Sequence, residues 1–341
     1  MLLTPIILFV ILMILLYVPP VQNFIRKQAT AIASDATGMN ISVERIDLRF
    51  PLNLLVRGVQ VVQSENDAVD MQHPDTLLNL GSLNVRVQAW PLLQGRVEVD
   101  DITLQQVAVN SSTLLEGMHI KGTLGRFFLE SHGIDLKKEN AVLNSVELSN
   151  THVQVILADT AEAPKDTVET ALNWRIALHS LKLKNVSVDL QMPLDSMTLA
   201  ANIGDASIED ANADLKRQFY GWRKFALTGN AVNYDSGTAA PVEGFDASHI
   251  ALRDIRIGID SVMSCGRDMN AVIREFSMYD RSGLTVTSLT GRLFADSTLI
   301  RVPHLQLTTP HSEMNLTAQT YWKLVYIPTT GRLSARFNAN I

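Results

Sequence analysis

The chain has 341 residues, 46% of them hydrophobic but only 6% aromatic and 19% charged, so its apolar content is mostly aliphatic. Acidic residues (35) outnumber basic ones (29) for a net charge of −6, and no dense basic run exists, which argues against a nucleic-acid partner that needs clustered Lys or Arg for phosphates. The single cysteine, Cys265, excludes an internal disulfide framework and a cysteine-based metal cluster.

Residues 1–18, MLLTPIILFVILMILLYV, carry no charge. As a helix they reach about 27 Å, close to the roughly 30 Å of a bilayer's hydrocarbon. Pro5 sits near the start, Tyr17 at the far interface, and Pro19-Pro20 closes the run. The stretch reads as a transmembrane anchor. A cleaved signal peptide is the competing reading, resting on Ala31-Ile32-Ala33 before Ser34. The long apolar run, the missing basic start and the position of Arg26 and Lys27 weigh against it. Those two charges would place the following segment in the cytoplasm by the positive-inside rule.

Residues 19–38 follow as a short amphipathic helix, with Val21, Phe24, Ile25, Ala29 and Ile32 on roughly one face. Gly38 is placed to end it. It serves either as an interfacial helix or as a cap over the next sheet.

From residue 39 onward period-two alternation dominates, the mark of strands with two distinct faces. Residues 39–157 form a first β-rich segment, 158–170 a polar loop containing Pro164, and 171–341 a second β-rich segment. A further interruption is expected at 234–244, and a short helix over 214–225. Alternation continues to the last residue, from which we expect a longer protein of which this is the front part.

One unit recurs: two apolar positions separated by one residue, a two-residue gap, then a second such pair. It occurs as Ile102, Leu104, Val107, Val109, as Leu181, Leu183, Val186, Val188, and as Ile250, Leu252, Ile255, Ile257. Val146, Leu148, Thr151 and Val153 form a weaker copy. A step of three sends a side chain to the opposite face of a regular strand, so each gap must hold a bulge or tight corner. Asn150, Asn185 and Asp254 sit at or beside the gaps, where turn-tolerant residues belong. Bends repeated at similar places would curl a sheet along its length.

Signals for chemistry are absent. The eight histidines form no metal-binding pair. Asp210-x-Asn212-x-Asp214 opens like a calcium loop, but Leu215 occupies its glycine position and Gly221 its bidentate carboxylate position. Gly117 to Thr123 spaces two glycines like a phosphate loop without the lysine. Cys265 has Arg267 nearby but no histidine, and Asp100-Asp101 reads as a turn between two strands. We therefore expect no enzyme, no catalytic residues, no metal and no cofactor.

The order of parts resembles the amino-terminal region of the AsmA-like family, and within it the TamB group. The likeness is carried by the uncharged anchor, VQNFIRKQATAIASDATG, MNISVERIDLRFPLNLLVRGVQV and LLNLGSLNVRVQAWPLLQGRVEVDDITLQQVAV, with SLKLKNVSVDL echoing the last. It covers residues 1–110 and continues afterwards only in repeat style. It implies an inner-membrane protein of a two-membrane bacterium, single-pass, with its body in the periplasm, the reverse of the charge reading. It implies a mainly β fold, an elongated sheet curled into an apolar groove (a β-taco, as in bridge-like lipid transfer proteins). The implied activity is phospholipid transport between inner and outer membrane in support of outer-membrane integrity. The alternative is assembly and translocation of outer-membrane β-barrel proteins and autotransporters with a TamA-like barrel, reached through a carboxy-terminal region beyond this chain. The twelve residues of the three clean units are the candidates for lining the groove against acyl chains; ordinary packing between sheet layers is the other reading of each.

Overall fold

In the computed structural model the described residues are 27, 28, 30, 31, 34, 39–49, 52–62, 76–88, 98–111, 118–135, 138–157, 173–321 and 334–340. The expected anchor at 1–18 and the polar loop at 158–170 lie outside them. No helix among the described residues is long and apolar enough to cross a membrane. Within 19–38, residues Lys27, Gln28, Thr30, Ala31 and Ser34 have helical backbone, and the Ile41 N–H donates to Ser34 Oγ at 3.1 Å.

The fold is mainly β, one curled, unclosed sheet. Its strands are β1 (Asn40–Arg49), β2 (Asn53–Val62), β3 (Thr76–Val87), β4 (Val99–Asn110), β5 (Met118–Asp135), β6 (Asn140–Leu157), β7 (Arg175–Met192) and β8 (Met197–Asp214). They continue as β9 (Phe219–Ser236), β10 (His249–Cys265), β11 (Asp268–Asp280), β12 (Thr285–Val286), β13 (Ser288–Ala295), β14 (Leu299–Thr308), β15 (Glu313–Tyr321) and β16 (Ser334–Asn340). Sequence order is spatial order from β1 to β16, except that the two-residue β12 pairs only with β11. Neighbours are antiparallel apart from β6 and β7, which run parallel with Asn140 opposite Arg175 and Ile156 opposite Gln191. That pair joins the two expected β-rich segments into one sheet.

Three local expectations are corrected. The stretch 214–225 is not a helix: β8 ends at Asp214 and β9 starts at Phe219, because Trp222, Phe225 and Leu227 are spaced to share a strand face across a bend. Asp100 and Asp101 lie inside β4 rather than in a turn; Asp101 is 4% exposed and is tied by an ion pair to Arg86 on β3. The second interruption starts later than 234, since β9 continues to Ser236.

No large side chain among the described residues is fully buried. Most apolar residues of the strands are half-buried instead, as expected of a single sheet whose inner face has no second layer packed on it.

Candidate functional site: a creased apolar face

Directly opposed residues in a sheet point to the same face, so the pairing registers trace side-chain rows across the strands. One row runs Ile102, Leu129, Val146, Leu181, Ile208, Phe225, Ile259 from β4 to β10. The next runs Leu104, Phe127, Leu148, Leu183, Ala206, Leu227, Ile257. Both are wholly apolar.

Beyond the two-residue gap, Val107, Leu124, Thr151, Val186 and Ile203 make a third row, which Asn230 and Ile255 extend on β9 and β10. A fourth holds Val109, Gly122, Val153, Val188, Ala201, Val232 and Leu252. Ile250 falls in a fifth, with Val155, Leu190, Leu199 and Tyr234. All twelve candidates thus stand in five adjacent rows. The unit on β10 enters them in reverse order because β10 runs antiparallel to β7.

The rows between these are mainly polar, although Thr103, Glu147, Lys182 and Ser207 share theirs with Phe128 and Ala226. Gln105, Arg126, Ser149, Lys184 and Asp205 form one, and Ala108, Thr123, His152, Ser187 and Asn202 another.

The gap itself is a corner. Gln106, Asn150, Asn185 and Asp254 have φ of 56°, 52°, 53° and 53°, one in each of the four units. A left-handed residue inserted into a strand adds a place without a ladder partner, so alternation resumes shifted by one. The apolar pairs on both sides of the corner then share a face. Burial agrees. Val186 and Ile255 on one flank are 6% and 5% exposed and Ala206 on the other is 8%, whereas the four corner residues are exposed. Apolar rows face the concave side and corners the convex side.

The corners align into a crease across the sheet. Pairing skips Gly58 against Gly81, Gly81 against Gln106, Gln106 against Gly125, Gly125 against Asn150, and Asn150 against Asn185. Gly81, Gly125 and Gly204 lack positive φ but have no room for a side chain. A Cβ on Gly125 would lie 2.8 Å from Asn150 Cβ, and one on Gly204 2.6 Å from the Gly229 oxygen. Residues with left-handed backbone and crowded glycines therefore alternate over part of the line. Asn230, 3% exposed, stitches the crease at β8–β10: its Oδ1 accepts from Gly204 N at 3.1 Å and its Nδ2 donates to Ile255 O at 3.1 Å.

A second crease, which the sequence reading did not single out, runs six or seven residues away. Its apolar steps of three are Leu143 to Val146, Leu178 to Leu181, Ile208 to Ala211 and Ile259 to Val262, with Asp210 at φ 50° and Ser261 at φ 54°. On its convex side His179 Nδ1 lies 2.6 Å from Asp210 Oδ1, while Arg223 donates to Asp210 and Glu209 at 2.6 and 2.5 Å. Arg223 first, then His179, holds the Asp210 carboxyl below its ordinary value. From β6 to β10 the sheet is thus a trough with a floor about 20 Å wide, six residues at roughly 3.3 Å each, between two apolar walls.

Among the described residues no group of three or more His, Cys, Asp or Glu is placed to hold a metal ion. Cys265 is exposed, its thiol 3.7 Å from the Arg217 carbonyl. No protein-family model matches the chain, and no curated protein matches it.

Proposed function

We propose that this chain is a membrane-anchored conduit whose creased trough holds the acyl chains of phospholipids as they pass between the inner and outer membranes of a two-membrane bacterium. Residues 1–18 would anchor it in the inner membrane and the sheet would stand in the periplasm. The observation that carries the reading is the continuity of the apolar rows. The row through Ile102 and Leu181 meets no polar side chain from β4 to β10. Each acyl CH₂ exposed to water costs about 0.8 kcal/mol, so a path for lipids has to be apolar without breaks. A sheet packed on another layer would bury these side chains fully, and among the described residues none of the large ones is. The likeness to the AsmA-like family points the same way.

The test is photocrosslinking in living cells with a reactive residue placed singly at Ile102, Leu104, Leu181, Val186, Ile250 or Ile255. Phospholipid adducts at these sites, and none at Gln105 or Lys184, support the conduit. Lack of lipid at all six sites overturns it.

A second reading is assembly of outer-membrane β-barrel proteins with a TamA-like partner. It rests on β1 and β16, each of which pairs on one side only among the described residues, since a free strand edge can template an incoming strand. Protein adducts without lipid, concentrated on β1 or β16, would favour it.

A further inference from the structure

The trough's two rims differ in charge along β7 to β10. At one end of strands β7 to β10 stand Arg175, the β8–β9 turn with Lys216 and Arg217, and the β10–β11 turn with Arg267. Asp214 is shared between Arg175 at 3.6 Å and Arg217 at 3.9 Å, and Lys216 and Arg267 make no ion pair among the described residues. Asp268 is the other acid in these turns. At the opposite end, the β7–β8 turn and the segment from Tyr234 to His249 contain Asp195, Asp235, Glu243 and Asp246, with no Lys or Arg.

The wall beneath the basic rim also differs. Its outermost concave row is Ile176, Ala213, Tyr220 and Ser264, and the next row inward includes Trp222 opposite Val262. Trp222 Nε1 is buried with no hydrogen-bond partner, although a buried N–H left unpaired costs about 1–3 kcal/mol. A ring with an apolar body and one polar tip suits the level where acyl chains give way to polar groups. The other wall carries Tyr234 in its outer row, and beyond it the four acids stand with a single cation, Arg281, whose Nη2 donates to the His249 carbonyl at 3.2 Å.

Resting on the conduit reading, we infer that the trough takes its amphiphiles in one orientation: the phosphate of the headgroup lies along the Arg175–Lys216–Arg217–Arg267 rim, with the Trp222 ring at the level just below it. The opposite rim repels the same phosphate. The tails then lie across the floor, over Leu181 and Leu183.

The full chain in vesicles of phosphatidylglycerol and phosphatidylcholine tests this with two photoreactive phosphatidylglycerol probes, one activated in the acyl chain and one on the headgroup. The expected result is acyl adducts on the floor strands, with headgroup adducts confined to 173–176, 214–222 and 264–268. Lys216→Glu with Arg217→Glu should lower headgroup labelling at that rim several-fold and leave acyl labelling unchanged. Headgroup adducts shared between both rims, or found at 193–199 and 234–249, with acyl adducts still on the floor, would overturn the orientation and leave the conduit standing. Absence of acyl adducts from the floor would remove the conduit, and the orientation with it.

Discussion

Asn185 Nδ2 donates to Asn150 Oδ1 at 2.9 Å, and both residues have left-handed backbone, φ 53° and 52°. Two side chains 35 positions apart in sequence are joined at the parallel β6–β7 pair, on the convex side of the bend they create. Asparagine tolerates this conformation because its short amide can bond locally; a β-branched residue does not.

Replacing Asn185 by valine should therefore destabilise the sheet by about 1–3 kcal/mol, from backbone strain plus the lost amide bond. Asn185→Gly, which removes only the bond, should cost less. Denaturant unfolding of the two variants checks the order; equal losses would show that the amide pair matters and the backbone does not.

Gly204→Ala places a methyl 2.6 Å from the Gly229 oxygen and 3.0 Å from that of Thr228. Both obstacles are backbone, so β8 and β9 must separate locally. We expect a loss of about 1–3 kcal/mol and faster amide exchange in β8 and β9 than in β2 and β3. Gly237→Ala meets no atom within 4 Å but sits at φ 85°, so it should cost about 1 kcal/mol.

Asn230→Leu fits the apolar row yet leaves the Gly204 N–H and the Ile255 carbonyl without their partner. With about 1–3 kcal/mol for each buried group left unpaired, the variant should lose at least roughly 2 kcal/mol. A neutral result in chemical denaturation would mean that water replaces the amide and that the crease is open there.

Asp246 accepts from the Val242 and Ser248 N–H groups at 3.1 and 3.0 Å and pairs with His249 Nδ1 at 2.9 Å. The Val242 N–H first, then Ser248 and His249, holds its carboxyl below the ordinary 3.8. A depressed carboxylate contributes its stability above the unfolded value and loses it as pH falls through the folded one. The β9–β10 segment should hence keep its amide chemical shifts at Val242 and Ser248 down to about that ordinary value and change them only below it. Asp246→Asn should abolish the acid transition; persistence of the transition would assign it to another group.

The repeating unit was legible because its physics is local. A step of three between apolar pairs has to be absorbed by one residue, and Asn150, Asn185 and Asp254 are residues that can absorb it. Gln106 was not legible by type, since glutamine has no special affinity for left-handed backbone; its position is set by Gly81 and Gly125 on either side. The second crease at His179 and Asp210 was hidden for a related reason. Its side chains are those of an ordinary polar face, and only the register with β6 and β8 aligns the steps. The strand at Phe219 was obscured by the polar turn before it, where Leu215 to Gln218 lack any turn glycine. The phase of the lining, ambiguous in one strand, was resolved only when opposed rows from several strands proved predominantly apolar or predominantly polar.

The central claim is that one face stays apolar across the crease because alternation shifts by one at Asn185. Scanning β7 from Leu181 to Val188 with a photoreactive residue, in the presence of a phospholipid activated in its acyl chain, tests this most directly. The account predicts lipid adducts at 181, 183, 186 and 188 and none at 182, 184, 185 and 187. Adducts that keep a strict period of two, at 181, 183, 185 and 187, would contradict the phase shift and with it the continuous trough.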